Sequence, residues 1–322
     1  MRIVFMGTGE IAIPTFRWLL ESREEHQVVG AFTQPDKKVG RKQLVTPPEI
    51  KLIAEAHGIE VFQPASLRKE PEALDQLARL RPDLIVVMAY GQILPAALLE
   101  IPRLACVNLH ASLLPRHRGA SPIQAAIREG DRETGLTLMH IEPRLDAGDM
   151  ILEKRIPIHE SDTGGTLHDR LAELGPTLLA EGIALFRAGG VEARPQDESE
   201  VTYAPKLERD DGRIDWSRDA EEIERLIRAY DPWPGAHTTL PHEGDARKLK
   251  IFPPARVAGD VDASPGAVVD SSDRLVVACG NGGLELAGQL QLEGRKRLAA
   301  GDFLRGTSLD EGIVLGNSDD SA

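Results

Sequence analysis

Four things are scarce in this 322-residue chain: cysteine, positive charge, sequence repetition, and any apolar run near the ~20 residues that a membrane-spanning helix needs. The two cysteines, Cys106 and Cys279, sit in strand-like apolar runs. That excludes a disulfide framework and any Cys-based zinc spacing, and predicts buried, reduced thiols. Residues 1–7 enter a strand pattern with no signal-peptide apolar region, so a cytoplasmic location is expected, with no membrane association. A net charge of −13 argues against a generic nucleic-acid coat, which needs a concentrated positive surface. His237 and His242 lack helical spacing or a third ligand, so no metal is expected. No obligate protein partner is evident.

The length is more than one core usually serves, and two domains are expected. Residues 2–6 read as a buried strand, 7–9 as a glycine turn and 11–20 as a helix. Strand 28–32, helices 48–58 and 73–81, and the β-branched strand 84–88 follow. This β-then-α order predicts an α/β fold with a doubly wound, Rossmann-like, mainly parallel sheet. Strand 105–109, helix 122–129, strands 134–141 and 150–158, and one long helix 168–188 complete a domain over 1–189. Gly, Pro and acidic residues then mark 190–206 as a linker. Residues 207–315 carry a helix at 220–229 and short strands at 235–240, 249–252, 266–270, 275–279 and 283–292. A small OB-like β-barrel domain is predicted there, closed by a short turn or helix at 302–304. Residues 316–322 read as an acidic tail.

Gly7-Thr-Gly9-Glu-Ile-Ala12 follows the first strand, as a dinucleotide fingerprint would. The second strand ends in Phe32-Thr33-Gln34, however, and lacks the acidic residue that would hold a ribose. A glycine turn that lets the helix approach the sheet is the preferred reading.

The richest chemistry lies in Asn108-Leu-His110 and in Asp146-Ala-Gly148. Residues i and i+2 share one face of a strand, so Asn108 and His110 can converge while Val107 and Leu109 pack behind them. Histidine exchanges protons near neutrality, a carboxylate can orient it, and an amide can donate to a developing oxyanion. Together they suit acyl transfer to or from an amine. Ser112 lacks a nucleophile-elbow setting, which favours direct transfer over a covalent acyl-enzyme. A core histidine packed beside Asn108, with Asp146 in an ordinary turn, is the alternative.

Asn108-x-His110 with Ser112-Leu-Leu-Pro115 and Asp146-x-Gly148 resembles the signature of the folate-dependent formyltransferases. The likeness extends through Met1-Arg-Ile-Val-Phe-Met-Gly-Thr, Thr33-Gln-Pro-Asp-Lys, Arg116-His-Arg118-Gly-Ala-Ser-Pro-Ile-Gln124 and Glu133-Thr-Gly-Leu-Thr. It continues in Tyr203-Ala-Pro-Lys206-Leu, Gly212-Arg-Ile-Asp-Trp216, Arg228-Ala-Tyr-Asp-Pro-Trp-Pro234 and Gly294-Arg-Lys-Arg297. The resemblance implies transfer of the formyl group of 10-formyltetrahydrofolate to the α-amino group of methionine on initiator tRNA. It implies that His110 manages the amine proton, Asn108 stabilises the oxyanion and Asp146 supports His110. Folate would lie along Met88, Tyr90, Gly91, Ile93 and Leu94 and the loop of Ser112, Leu113, Leu114 and Pro115. The 36–48 loop, with Lys37, Lys38, Arg41 and Lys42, would contact the tRNA acceptor end. Lys206, Lys248, Lys250, Arg295, Lys296 and Arg297 would serve from the second domain. That domain is acidic overall, with 14 Lys and Arg against 22 Asp and Glu after Lys206, so binding there requires segregated charge. A sugar-nucleotide amine formyltransferase would share the same trio, and a catalytically silent RNA-binding protein would keep only the basic clusters.

Overall fold

The computed structural model describes residues 1–22, 26–40, 42–242, 245–307 and 309–316. They divide into two compact units. The first comprises Met1–Pro122, Glu133–Ile156 and His168–Ala204; the second comprises Ile123–Arg132, Pro157–Leu167 and Pro205–Ala322. Two stretches within the first 189 residues thus group with the second unit. The 190–206 stretch read as a linker is mostly tied into the first: Met150 and Arg194 exchange backbone hydrogen bonds, and Arg118 N donates to Thr202 O.

The first unit begins with β1 (Arg2–Gly7), α1 (Ile13–Glu21) and β2 (Gln27–Phe32). A ribbon of β3 (Lys37–Val39) and β4 (Leu44–Thr46) comes next, then α2 (Glu49–Ala56), β5 (Val61–Phe62), α3 (Pro71–Arg79) and β6 (Leu84–Met88). α4 (Ala96–Leu99), β7 (Ala105–His110), β8 (Arg118–Gly119), β9 (Glu133–His140) and β10 (Met150–Pro157) follow, while α5 (Pro122–Arg128), between β8 and β9 in the chain, groups with the second unit from Ile123 on. The main sheet runs β10-β9-β7-β6-β1-β2-β5, parallel from β7 to β5, with β9 antiparallel to β7. All five residues of β6 are buried, as a strand covered on both faces requires. Each buried Leu, Ile, Val or Phe side chain in such a sheet contributes about 1.5–3 kcal/mol. Strand order reverses at β1, so the carboxyl ends of β1, β6 and β7 flank the crevice where open α/β sheets bind ligands.

Two sequence expectations change here. The single helix 168–188 is two, α6 (Gly164–Ala172) and α7 (Gly175–Ala188). Pro176 starts the second, and a Cβ on Gly175 would meet Thr15 Oγ1 at 2.0 Å, so the chain breaks where it must approach α1. The 36–48 loop is an antiparallel ribbon, with Lys37 opposite Thr46 and Val39 opposite Leu44. Both its faces are exposed, so no alternation of buried and polar residues announces it.

The first unit ends with β11 (Tyr203–Ala204), which pairs with β8, and the second unit contains α8 (Ala220–Ala229). Its two antiparallel sheets contain β12 (His237–His242), β13 (Asp245–Phe252), β14 (Arg256–Val257), β15 (Val268–Asp270), β16 (Val276–Ala278), β17 (Gly283–Glu285), β18 (Gln289–Leu292) and β19 (Leu298–Ala299). The orders are β12-β13-β18-β19 and β14-β17-β16-β15. The predicted strand 283–292 is therefore two strands in different sheets, and the segment read as a short turn or helix at 302–304 is a helix, α9 (Ala300–Gly306). Ile223 and Ile227 of α8 share one core with Leu249, Ile251, Val277 and Leu284 from the two sheets. The 316–322 tail falls outside the described residues beyond 316. No helix among the described residues is long and apolar enough to cross a membrane.

Candidate active site

β7 delivers Asn108 and His110 to one face at its carboxyl end, while Val107 and Leu109 are buried on the other. Asn108 is half-buried and lies beside Val87 of β6; His110 is buried opposite Thr137 of β9. The imidazole is held at Nε2, 2.9 Å from the His117 carbonyl oxygen. A carbonyl only accepts, so Nε2 carries the proton and Nδ1 is left as the exchangeable position. Nδ1 faces Asp146 Oδ2 at 3.7 Å. His110 and Asp146 thus face each other, with Asn108 two residues earlier on the same face of β7, but the direct hydrogen bond that orients the ring comes from His117. A main-chain carbonyl carries no side-chain signature, so sequence reasoning missed it.

Asp146 adopts a left-handed backbone, φ 47°, which Asp tolerates better than most residues. Its Oδ2 accepts the Gly119 N–H at 2.9 Å. Gly148 lets the turn close on β9, because a Cβ there would lie 2.0 Å from the His140 carbonyl oxygen. Burial pushes the His140 imidazole below its ordinary pKa, with Asp149 partly opposing the shift. The Ser112–Pro115 loop is braced from β9: Thr137 Oγ1 donates to Ser112 O at 2.7 Å and accepts from Leu114 N at 3.2 Å. Ser112 Oγ donates to Arg116 O at 2.6 Å, so its hydroxyl is spent on the loop itself.

The residues expected at folate divide by exposure. Met88, Tyr90, Ser112 and Leu114 are buried, Leu94, Leu113 and Pro115 are half-buried, and Gly91 and Ile93 are exposed. The turn after β6 is shaped by positive φ at Ala89 (49°) and Gly91 (80°). It is stitched to the first βα turn: Thr8 N and Gly9 N donate to Ala89 O, and Thr8 Oγ1 donates to Tyr90 O. Gln34 Nε2 reaches both Tyr90 O and Gly91 O. Gly7 and Gly9 therefore serve close packing against β6. A turned backbone beside exposed Ile93 and half-buried Leu94 fits a flat ring with polar edges, through main-chain groups and apolar surface; the Tyr90 ring is not available to it.

Lys37, Lys38 and Lys42 are exposed on or beside the β3–β4 ribbon, and Arg41 lies outside the described residues. In the second unit Lys206 is exposed, and Lys248 and Lys250 alternate along β13 with the buried Leu249 and Ile251. Arg295, Lys296 and Arg297 are exposed between β18 and β19, with the Arg297 guanidinium 3.5 Å above the Phe252 ring. His237 is buried with Nδ1 3.3 Å from Gly235 O, and the His242 side chain is outside the described set.

Comparison with known proteins agrees with this geometry. A family profile described as "Formyl transferase" matches residues 1–183, and one described as "Formyl transferase, C-terminal domain" matches 206–308. A methionyl-tRNA formyltransferase of Akkermansia muciniphila is 51% identical over 95% of this chain and 96% of its own. One from Citrifermentans bemidjiense is 48% identical over 100% of this chain and 98% of its own. Among solved structures, HypX from Aquifex aeolicus in complex with tetrahydrofolic acid shares the fold at 19% identity and a TM-score of 0.60. That likeness covers 99% of this chain but only 51% of HypX, so this chain spans about half of that protein. The two matched profiles and the near-complete overlap with close relatives show that the chain belongs to the formyltransferase family, among the methionyl-tRNA formyltransferases.

Proposed function

We propose that this enzyme transfers the formyl group of 10-formyltetrahydrofolate to the α-amino group of methionine on initiator tRNA, serving translation initiation in the cytoplasm. The observation that carries the chemistry is His110, with Nε2 committed to the His117 carbonyl and Nδ1 open toward Asp146. The donor supplies a formyl carbon attached to a nitrogen leaving group. As the amine nitrogen bonds to that carbon, His110 Nδ1 takes the amine proton, and the imidazolium so formed is stabilised by Asp146. Asn108 donates to the formyl oxygen as negative charge develops there. When the carbon–nitrogen bond to the donor breaks, His110 returns the proton to the departing nitrogen, leaving a formamide and tetrahydrofolate.

Folate would be held by main-chain groups of the 88–94 turn, with Ile93, Leu94, Leu113 and Pro115 as its apolar contacts. Exposed Lys37, Lys38, Lys42, Lys206 and Lys250 and half-buried Lys248, together with Arg41 and the Arg295–Arg297 cluster, would meet tRNA phosphates. The experiment offers the purified enzyme initiator Met-tRNA, elongator Met-tRNA and an amino-sugar nucleotide, each with and without 10-formyltetrahydrofolate. Folate-dependent formylation of initiator Met-tRNA is expected. Transfer that ignores folate, or that prefers the amino sugar, overturns the reading.

A further inference from the structure

One side chain between the two family-matched stretches reaches the supports of the reaction centre. Gln196 is 8% exposed. Its Nε2 donates to Asp146 O and to Gly148 O, both at 2.8 Å, and its Oε1 accepts from Arg118 Nε at 3.0 Å and Arg118 Nη2 at 2.8 Å. Both donors and both lone pairs of the amide are therefore used. Its orientation is set by its partners, since a guanidinium only donates and a carbonyl only accepts. A reversed amide would oppose donor to donor.

Arg118 is 2% exposed and also donates to Glu198 Oε1 at 3.1 Å, a bond that lowers the Glu198 pKa. Its chain neighbours are the two residues that hold the catalytic pair. His117 O takes His110 Nε2, and Gly119 N–H holds Asp146 Oδ2. A closed path thus runs from His110 through His117, Arg118 and Gln196 to Asp146, and back across the 3.7 Å gap to His110. The left-handed Asp146 backbone, φ 47°, is held where its neighbours over-determine it. Gln196 grips the carbonyls at that turn.

We infer that Gln196 is a positioning residue for formyl transfer: by tying the Asp146 turn to Arg118, it sets the His110–Asp146 separation at which the amine proton is exchanged. This rests on the roles proposed above for His110 and Asp146. Gln196→Leu removes all four hydrogen bonds, whereas Gln196→Glu keeps an acceptor for Arg118 and loses both donors. In each variant kcat is expected to fall roughly 10- to 100-fold, as small misplacements of catalytic groups do. KM for Met-tRNA and for the formyl donor should stay within about twofold, because only the chemical step is affected. In an Asp146→Asn background, Gln196→Leu should add little further loss, since both changes act through one turn. Hydrogen exchange at the Gly119 amide should accelerate in Gln196→Leu while amides of β1 and β6 stay protected. That measurement needs no turnover, so a wild type that fails to formylate Met-tRNA would sink the functional reading and still leave the positioning role testable. Unchanged kcat in both variants, a loss fully additive with Asp146→Asn, or Gly119 exchange unchanged from wild type would overturn the inference; Gln196→Glu supplies the kinetic answer should Gln196→Leu fail to fold.

Discussion

His110 Nδ1 and Asp146 Oδ2 stand 3.7 Å apart, too far for a good hydrogen bond and close enough for ion pairing once the ring is protonated. Under the proposed mechanism the pair would stabilise a transient imidazolium. The resting ring takes its orientation from the His117 carbonyl instead.

Removing the exchanging group should cost most. His110→Ala is expected to lower the single-turnover rate of formyl transfer by roughly 10²- to 10⁴-fold, the usual value of a positioned general base. Asn108→Ala should lower it by about 10²- to 10³-fold, as loss of one oxyanion donor does. Asp146→Asn keeps the Gly119 contact through its remaining oxygen and removes only the charge, so its loss should be the smallest of the three. Met-tRNA affinity, measured separately by filter binding, should hold in all three; a parallel fall in affinity would assign these residues to binding or folding.

Gly148 tests whether the Asp146 turn needs its close approach to β9. Gly148→Ala drives a Cβ to 2.0 Å from a backbone oxygen, and only main-chain movement can relieve that. Overpacking of this kind costs about 1–3 kcal/mol. Urea unfolding should show this loss, with formyl transfer falling alongside it. Gly190→Ala, where nothing lies within 4 Å, serves as the control, and a comparable loss there would remove the steric account.

The thiols give a prediction with a definite pH sign. Burial pushes Cys106 and Cys279 up to about 12 from an ordinary 9.0. A buried thiol stays protonated while the unfolded chain loses its proton, so each cysteine subtracts stability as pH rises through this window, by up to about 1.4 kcal/mol per pH unit. Below the ordinary thiol pKa neither contributes. Iodoacetamide at pH 8 should therefore label neither residue in the native protein and both in urea. Rapid native labelling would show that the burial is not maintained.

The contrast between β6 and the β3–β4 ribbon explains what was legible. Residues 84–88 announce a strand because covering both faces demands a continuous apolar run, and the structure has that strand. Lys37–Val39 and Leu44–Thr46 bury neither face, and their pairing left no pattern to read. The site divides likewise. The side chains of Asn108, His110 and Asp146 were visible as residue types at a spacing. The His117 carbonyl, the Gly119 N–H and the Gln196 bridge join positions up to 78 residues apart through main chain and one amide. No local periodicity encodes such contacts. The Tyr90 side chain is packed with Val4, Met6 and Phe32, so of this residue only the main chain is placed to meet a ligand.

The acidic second domain poses the hardest demand on the tRNA reading. After Lys206 the chain carries 14 basic against 22 acidic residues, so attraction to phosphate must come from one face. β13 offers such a face, because strand alternation sends Leu249 and Ile251 into the core and leaves Lys248 and Lys250 on the other side with Phe252. Arg297 is drawn over Phe252, which places a further cation on the face of this strand away from the core. If these groups contact phosphate, Lys250→Ala and Arg297→Ala should each weaken Met-tRNA binding and reduce the slope of log affinity against log salt by about 1. kcat at saturating tRNA should hardly change, since neither residue belongs to the His110 centre. Lys38→Ala should behave the same way if the β3–β4 ribbon contributes. Affinity and salt slope matching wild type in the Lys250 and Arg297 variants would remove β13 from the tRNA surface and leave binding to the other basic positions.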